Sequence, residues 1–259
     1  MIVIVLMKKK RVKKKINSLN KKSKKKHGFT ELFYGNFISS IKDLGKIKNY
    51  FLFSLILFIL IAVIGFFYPV FFQEQVLNVI KDLIKQTEGL GSVELTGFII
   101  FNNLKSSFFG IIFGIFLGIV PLGIIIVNGY VLGFVANKTV EAGGIFILWR
   151  LFPHGIFEIP AVIISVGAGL MIGISFIKDC ILFFNKKISK FNLYFLILIS
   201  IIFFPISFII ALIFNLKYKI LRKKLYFNLK IAFKIFLFIV IPLLVIAGLI
   251  EGLLIYLLG

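Results

Sequence analysis

The segment Leu151-Phe152-Pro153-His154-Gly155-Ile156-Phe157-Glu158-Ile159-Pro160 sets an imidazole and a carboxylate four residues apart at the head of an apolar run of membrane length. On a helix these positions share a face, so the pair suits a mutual hydrogen bond, a proton relay or a shared cation. An acid at mid-helix costs roughly 2.5–3.5 kcal/mol to insert on translocon scales, which points to a polar site between helices. Pro153 suits a first helical turn, where its missing N–H costs nothing, and it leaves the His154 and Gly155 backbone donors near the helix entry. Pro160 removes one hydrogen bond inside the same helix and is expected to bend it beside Glu158. Asn103, Asn128 and Glu251 complete the candidate intramembrane polar site. Asn102 and Arg150 read instead as interfacial residues.

The elements that must hold this site carry small residues four apart, the spacing that lets membrane helices approach closely. Gly110, Gly114 and Gly118 form one row; Ala161, Ser165, Gly169 and Gly173 form another; Gly129 and Gly133 form a shorter third. His154 to Ala161, Glu158 to Ser165 and Asn103 to Gly110 are each seven apart, so polar and small residues share one stripe. These rows are the expected helix-packing positions.

Composition fixes the solvent. With 60% apolar residues, 33 Phe and a mean hydropathy of +1.07 over 259 residues, no core of this size could hide the apolar surface, and lipid must do so. The formal charge of +21 comes from basic residues that flank apolar runs rather than cover a domain. That distribution favours anionic lipid headgroups and excludes nucleic acid as the expected partner. Cys180 is the single cysteine, so it has no intrachain disulfide partner, and with two histidines the chain offers too little for a structural zinc site. Neither metal nor cofactor is expected.

Residues 1–28 read as a Lys-rich, disordered cytoplasmic tail, with 12 Lys or Arg and no acid between 8 and 26. Met1 and Met7 are both candidate starts. Residues 29–49 read as an interfacial amphipathic helix, with Phe33, Phe37, Ile38, Ile41 and Leu44 opposite Asn36, Ser39, Ser40, Asp43 and Lys46. Residues 50–259 form the transmembrane domain. Apolar runs at 51–72, 106–136, 151–177, 191–216 and 235–258 are each long enough to cross, which predicts an all-α polytopic membrane protein with about five transmembrane helices plus short amphipathic helices. The segment 73–105 reads as external, with one short surface helix around Val76, Ile80, Leu83 and Ile84. Five crossings from an inner amino terminus place the basic loop 178–190 outside and 217–234 inside, although both look cytoplasmic. A re-entrant pair within 106–136, near Pro121, is the alternative that shifts the parity.

Taken together these segments resemble the stage II sporulation protein M family of integral membrane proteins. The resemblance is carried by Asn102 and Asn103 before a Gly-rich span, Asn128-Gly129 with Gly133, Pro153-His154-Gly155 with Glu158, the Gly167–Gly173 stretch, and Ile250-Glu251. It covers about residues 50–259. It implies a multipass protein that, in sporulating bacteria, works with a peptidoglycan-degrading partner in membrane migration and is not itself the hydrolase. Many relatives occur where neither spores nor murein are made. The long Lys-rich amino terminus departs from the pattern, so the sporulation role is not carried over.

Three functions remain in competition. The first is a non-enzymatic scaffold or assembly factor, with a protein partner or a second copy. The second is a transporter or channel component using Glu158, His154 and Glu251 as a proton or cation relay. The third, a metalloenzyme, is disfavoured because two ligands are too few and no His-Glu-x-x-His pattern exists.

Overall fold

The computed structural model describes residues 29–116, 118–184 and 219–258, and within them the side chains of residues 29–30, 150–154, 179–184, 219–223 and 257–258 are left aside. Every described element is helical: α1 (Phe29–Phe67), α2 (Gln73–Thr87), α3 (Ser92–Ile112), a 3-10 turn (Phe113–Ile115), α4 (Ile119–Gly143), a 3-10 helix (Ile145–Leu151), α5 (Phe152–Phe184), α6 (Lys219–Ile235), a π-helical turn (Phe236–Val240) and α7 (Ile241–Leu258). By its contacts the chain divides after Ser39. The first unit is the opening of α1, with Leu32, Phe33 and Tyr34 exposed. The second unit, from Ser40 onward, holds everything below.

Five helices among the described residues are long and apolar enough to cross a membrane: Glu31–Phe67, Ser92–Ile115, Ile119–Gly143, Gly155–Lys178 and Lys224–Tyr256. The number matches the sequence reading, but the set differs. The run 106–136 is two helices rather than one span, and α3 begins at Ser92, inside the segment expected to lie outside. The run 191–216 lies outside the described residues. The break falls at Gly118, whose φ of +78° is left-handed backbone that an L side chain rarely adopts. Among the described residues the backbone groups of this turn bond to one another: Phe116 N–H to Phe113 O, Gly118 N–H to Gly114 O and Ile119 N–H to Phe116 O.

Helix directions follow from the contacts. Gly114 meets Gly169, and Gly173 meets both Gly114 and Gly118, so α3 and α5 run parallel. Gly248 meets Ile100 and Gly252 meets Thr96, so α7 runs against α3. Gly129 meets Phe58 and Ile61, and Gly133 meets Ala62 and Phe66, so α1 and α4 run together. Pro121 lies against Gly169, and Ile125 joins Val162, Ile163 and Val166, so this pair opposes α5.

One end of the bundle therefore collects the part of α1 with Lys42, Lys46 and Lys48, the end of α5 with Lys178, and α6 with Lys224, Lys230 and Lys234. The other collects α2, the start of α3 and the end of α4, where Glu74, Asp82, Glu88, Glu94 and Glu141 offset Lys81, Lys85 and Lys138. Phe184 and Lys219 therefore lie at the same basic end, where five sequential crossings had set 178–190 and 217–234 on opposite sides; residues 185–218 lie outside the described residues.

The core sits around α5. Of its most apolar 18-residue window 83% is buried, against 17–39% for the other four spans. It packs on α3, α4, α6 and α7, and on α1 where Gly167 meets Phe51. Lipid supplies no hydrophobic drive between helices, so close van der Waals contact across the glycines must hold them. Pro242 cannot donate to the Phe238 carbonyl, and the turn before it widens into the π-helix Phe236–Val240.

Candidate functional site

His154 lies in the first turn of α5, where its side chain is among those left aside. Glu158 follows one turn later and is half-buried. The row below it, Ala161, Ser165, Gly169 and Gly173, is wholly inside, and Ser165 donates to the Ala161 carbonyl at 2.9 Å. Gly110, Gly114 and Gly118 stand across from that row. A Cβ added at Gly114, Gly169 or Gly173 would overlap the facing backbone, and one at Gly110 would meet Ile124 at 3.3 Å.

The remaining polar candidates separate. Asn103 is half-buried on the Gly110 face of α3. Asn128 is exposed and donates to the Ile124 carbonyl of its own helix at 2.8 Å. Its amide therefore stabilises α4 locally. Glu251 is half-buried on α7. Carried back along the glycine contacts, the register puts Glu158 level with about Ile99 of α3 and Glu251 level with about Gly97, so the two carboxylates share a depth near the less basic end. Two cavities, a cleft between α3 and α6 and a hollow at the start of α2, are lined by none of these four residues.

Two polar sites escaped the sequence reading. Asp43 accepts from Lys234 at 2.8 Å and from Lys46 at 2.6 Å, while Ser40 donates to the Lys234 carbonyl at 3.4 Å. Ser40, Asp43 and Ile47 are buried while Ile41 is exposed, so at Ser40 and Asp43 the face of α1 expected to meet water meets α6 instead. Lys46 also sits 5.0 Å above the Phe227 ring. The signal was α6 itself, a basic helix whose lysines need counter-charge wherever they are covered. The second site is Tyr130, which donates to the Tyr68 carbonyl at 2.8 Å and accepts from Phe72 N–H at 3.3 Å, fastening α4 to the α1–α2 connection.

The sequence matches the family described as "Stage II sporulation protein M" over residues 54–254. It is also similar to "Uncharacterized protein MJ0706" of Methanocaldococcus jannaschii, 31% identical over 116 residues, which is 41% of this chain and 49% of the relative. The chain thus spans about half the length of that relative. No solved structure matches. The matched region runs from α1 through α7 and takes in the glycine rows together with Glu158 and Glu251, and the chain belongs to the stage II sporulation protein M family.

Proposed function

We propose that the protein is a non-enzymatic scaffold or assembly factor of the cell membrane, with its basic end and amino terminus cytoplasmic. In this reading the His154–Glu158 stripe specifies how α5 packs, and the basic tail and loops hold anionic headgroups or a protein partner. The observation that carries it is the sheathing of α5, where backbone meets backbone at the glycines. Residues that transport an ion need a wet path; residues that fix packing need a dry one. The excess of lysine at one end of the bundle supports the orientation.

The shared depth of Glu158 and Glu251 favours a second reading, a proton or cation relay. Reconstitution of the full chain in liposomes with an internal pH dye separates the two. The scaffold reading expects leakage equal to that of protein-free vesicles. Proton flux that disappears in a folded Glu158→Gln protein would overturn it. The scaffold reading also expects His154→Ala to lower folded yield.

A further inference from the structure

Residues Asn102 to Ser107 read Asn-Asn-Leu-Lys-Ser-Ser, and the structure carries this polar stretch into the middle of α3. Along the glycine registers Lys105 falls level with about Ile164 of α5 and Leu243 of α7. It stands about 12–14 Å along the continuous α6–α7 rod from both Lys234 and Glu251, and about 15–21 Å along α5 from His154 and Lys178, at 1.5 Å per residue. Lys105 is therefore at mid-depth, and it is exposed, as is Asn102 one turn before it. With a bilayer half-thickness of about 15 Å, a lysine stem falls short of either headgroup layer.

Among the described residues no carboxylate pairs with Lys105. Residues 185–218 contain neither Asp nor Glu, so that part of the chain holds no counter-charge. Phe108 and Ile112 lie on the same face of α3, three and seven residues on, and they open into the apolar cleft of about 360 Å³ completed by Ile111, Tyr226, Leu229 and Phe233. Lys230 also borders this cleft, toward the basic end. A lipid phosphate can meet Lys230 at the surface but not a cation at mid-depth.

We propose that Lys105, with Asn102 and the α3–α6 cleft, docks a transmembrane helix of a partner protein that carries a mid-span carboxylate. The cleft takes the apolar face of that helix, and Lys105 and Asn102 donate to the acid, an arrangement in which apolar anchors set position and one charge pair sets partner choice. It names a partner class for the proposed scaffold and rests on that reading. It can also fail alone, because a protein silent in the flux assay need not dock anything here.

The test places a photoreactive benzophenone amino acid at Phe108 of the full chain in its own membranes and sequences the cross-linked peptide. Capture of a transmembrane segment containing Asp or Glu is expected, falling at least ten-fold in Lys105→Met and returning in Lys105→Arg. Replacing the partner's acid by Lys should abolish capture, and pairing that variant with Lys105→Glu should restore it. Lys105→Met removes an intramembrane charge, so it should fold at least as well as the parent, and thermal unfolding verifies this. Cross-links confined to lipid, to a second copy or to residues 185–218, capture unchanged in Lys105→Met, or no capture at all would each overturn the proposal.

Discussion

Replacing Gly169 by alanine puts one methyl group where α3 and α5 have no space. The added Cβ would overlap the Gly110 carbonyl oxygen and lie 2.8 Å from Pro121 Cγ and 3.1 Å from the Gly110 carbonyl carbon, whereas ordinary contacts are 3.4–4 Å. Two of these neighbours are backbone atoms and the third is a proline ring, so no flexible side chain can yield. Relief requires α3 to move off α5 along the contact from Gly110 to Gly118. Overpacking of this kind costs about 1–3 kcal/mol, while alanine regains about 0.5–1 kcal/mol of helix preference, leaving a net loss of up to about 2.5 kcal/mol. At about 2–4 °C per kcal/mol for a chain of this size, that is a fall of up to roughly 10 °C in Tm. Gly123→Ala is the control, because nothing lies within 4 Å of its Cβ and only the propensity gain remains. Thermal unfolding of both variants in one detergent, followed by circular dichroism, makes the comparison. Gly169→Ala unfolding at or above the temperature of Gly123→Ala would refute the claim that backbone contact holds α5 in place.

Three further outcomes are expected. Asp43→Ala should destabilise by about 1–3 kcal/mol, since it removes the half-covered Asp43–Lys234 ion pair, and Lys46→Ala by less than about 1 kcal/mol because Lys46 is half in solvent; a double-mutant cycle showing no coupling between Asp43 and Lys234 would contradict this. Tyr130→Phe should cost about 1–2 kcal/mol in chemical denaturation, because the Tyr68 carbonyl loses its donor while ring packing survives. In a Cys180→Ser background, in right-side-out and inverted vesicles, a cysteine at Lys48 and one at Lys178 should react with an impermeant maleimide from the same side, and one at Lys81 from the other. Labelling of Lys48→Cys and Lys178→Cys from opposite sides would undo the topology.

Spacing made part of this arrangement legible. A row of small residues every fourth position leaves few partners except another such row, and Gly110, Gly114 and Gly118 do stand opposite Gly169 and Gly173. Hydropathy misled in two places for one reason: it assumes that polar side chains seek water. Asp43 and Ser40 looked like a wet face because nothing local announces that α6 brings Lys234 from 191 residues away. Lys105 looked like the edge of a loop because a charge at the border of an apolar run normally ends it. The break at Gly118 was partly legible, since the alternative of a re-entrant pair broken near Pro121 and flanked by Gly118 and Gly123 lies beside it, but a left-handed φ leaves no mark that picks out one of 22 glycines. His154 and Glu158 stand out in the sequence by their cost in lipid, whereas the depth that Glu158 shares with Glu251 emerges only once helix directions are known.

The uncharged hairpin around Gly118 bears on how the chain is made. During synthesis the insertion machinery meets residues 106–136 as one greasy ribbon, with no charge midway to order a reversal. Gly118 supplies that reversal through its left-handed backbone, which an L side chain at position 118 would strain, while the lysines at the basic end keep favouring their present side.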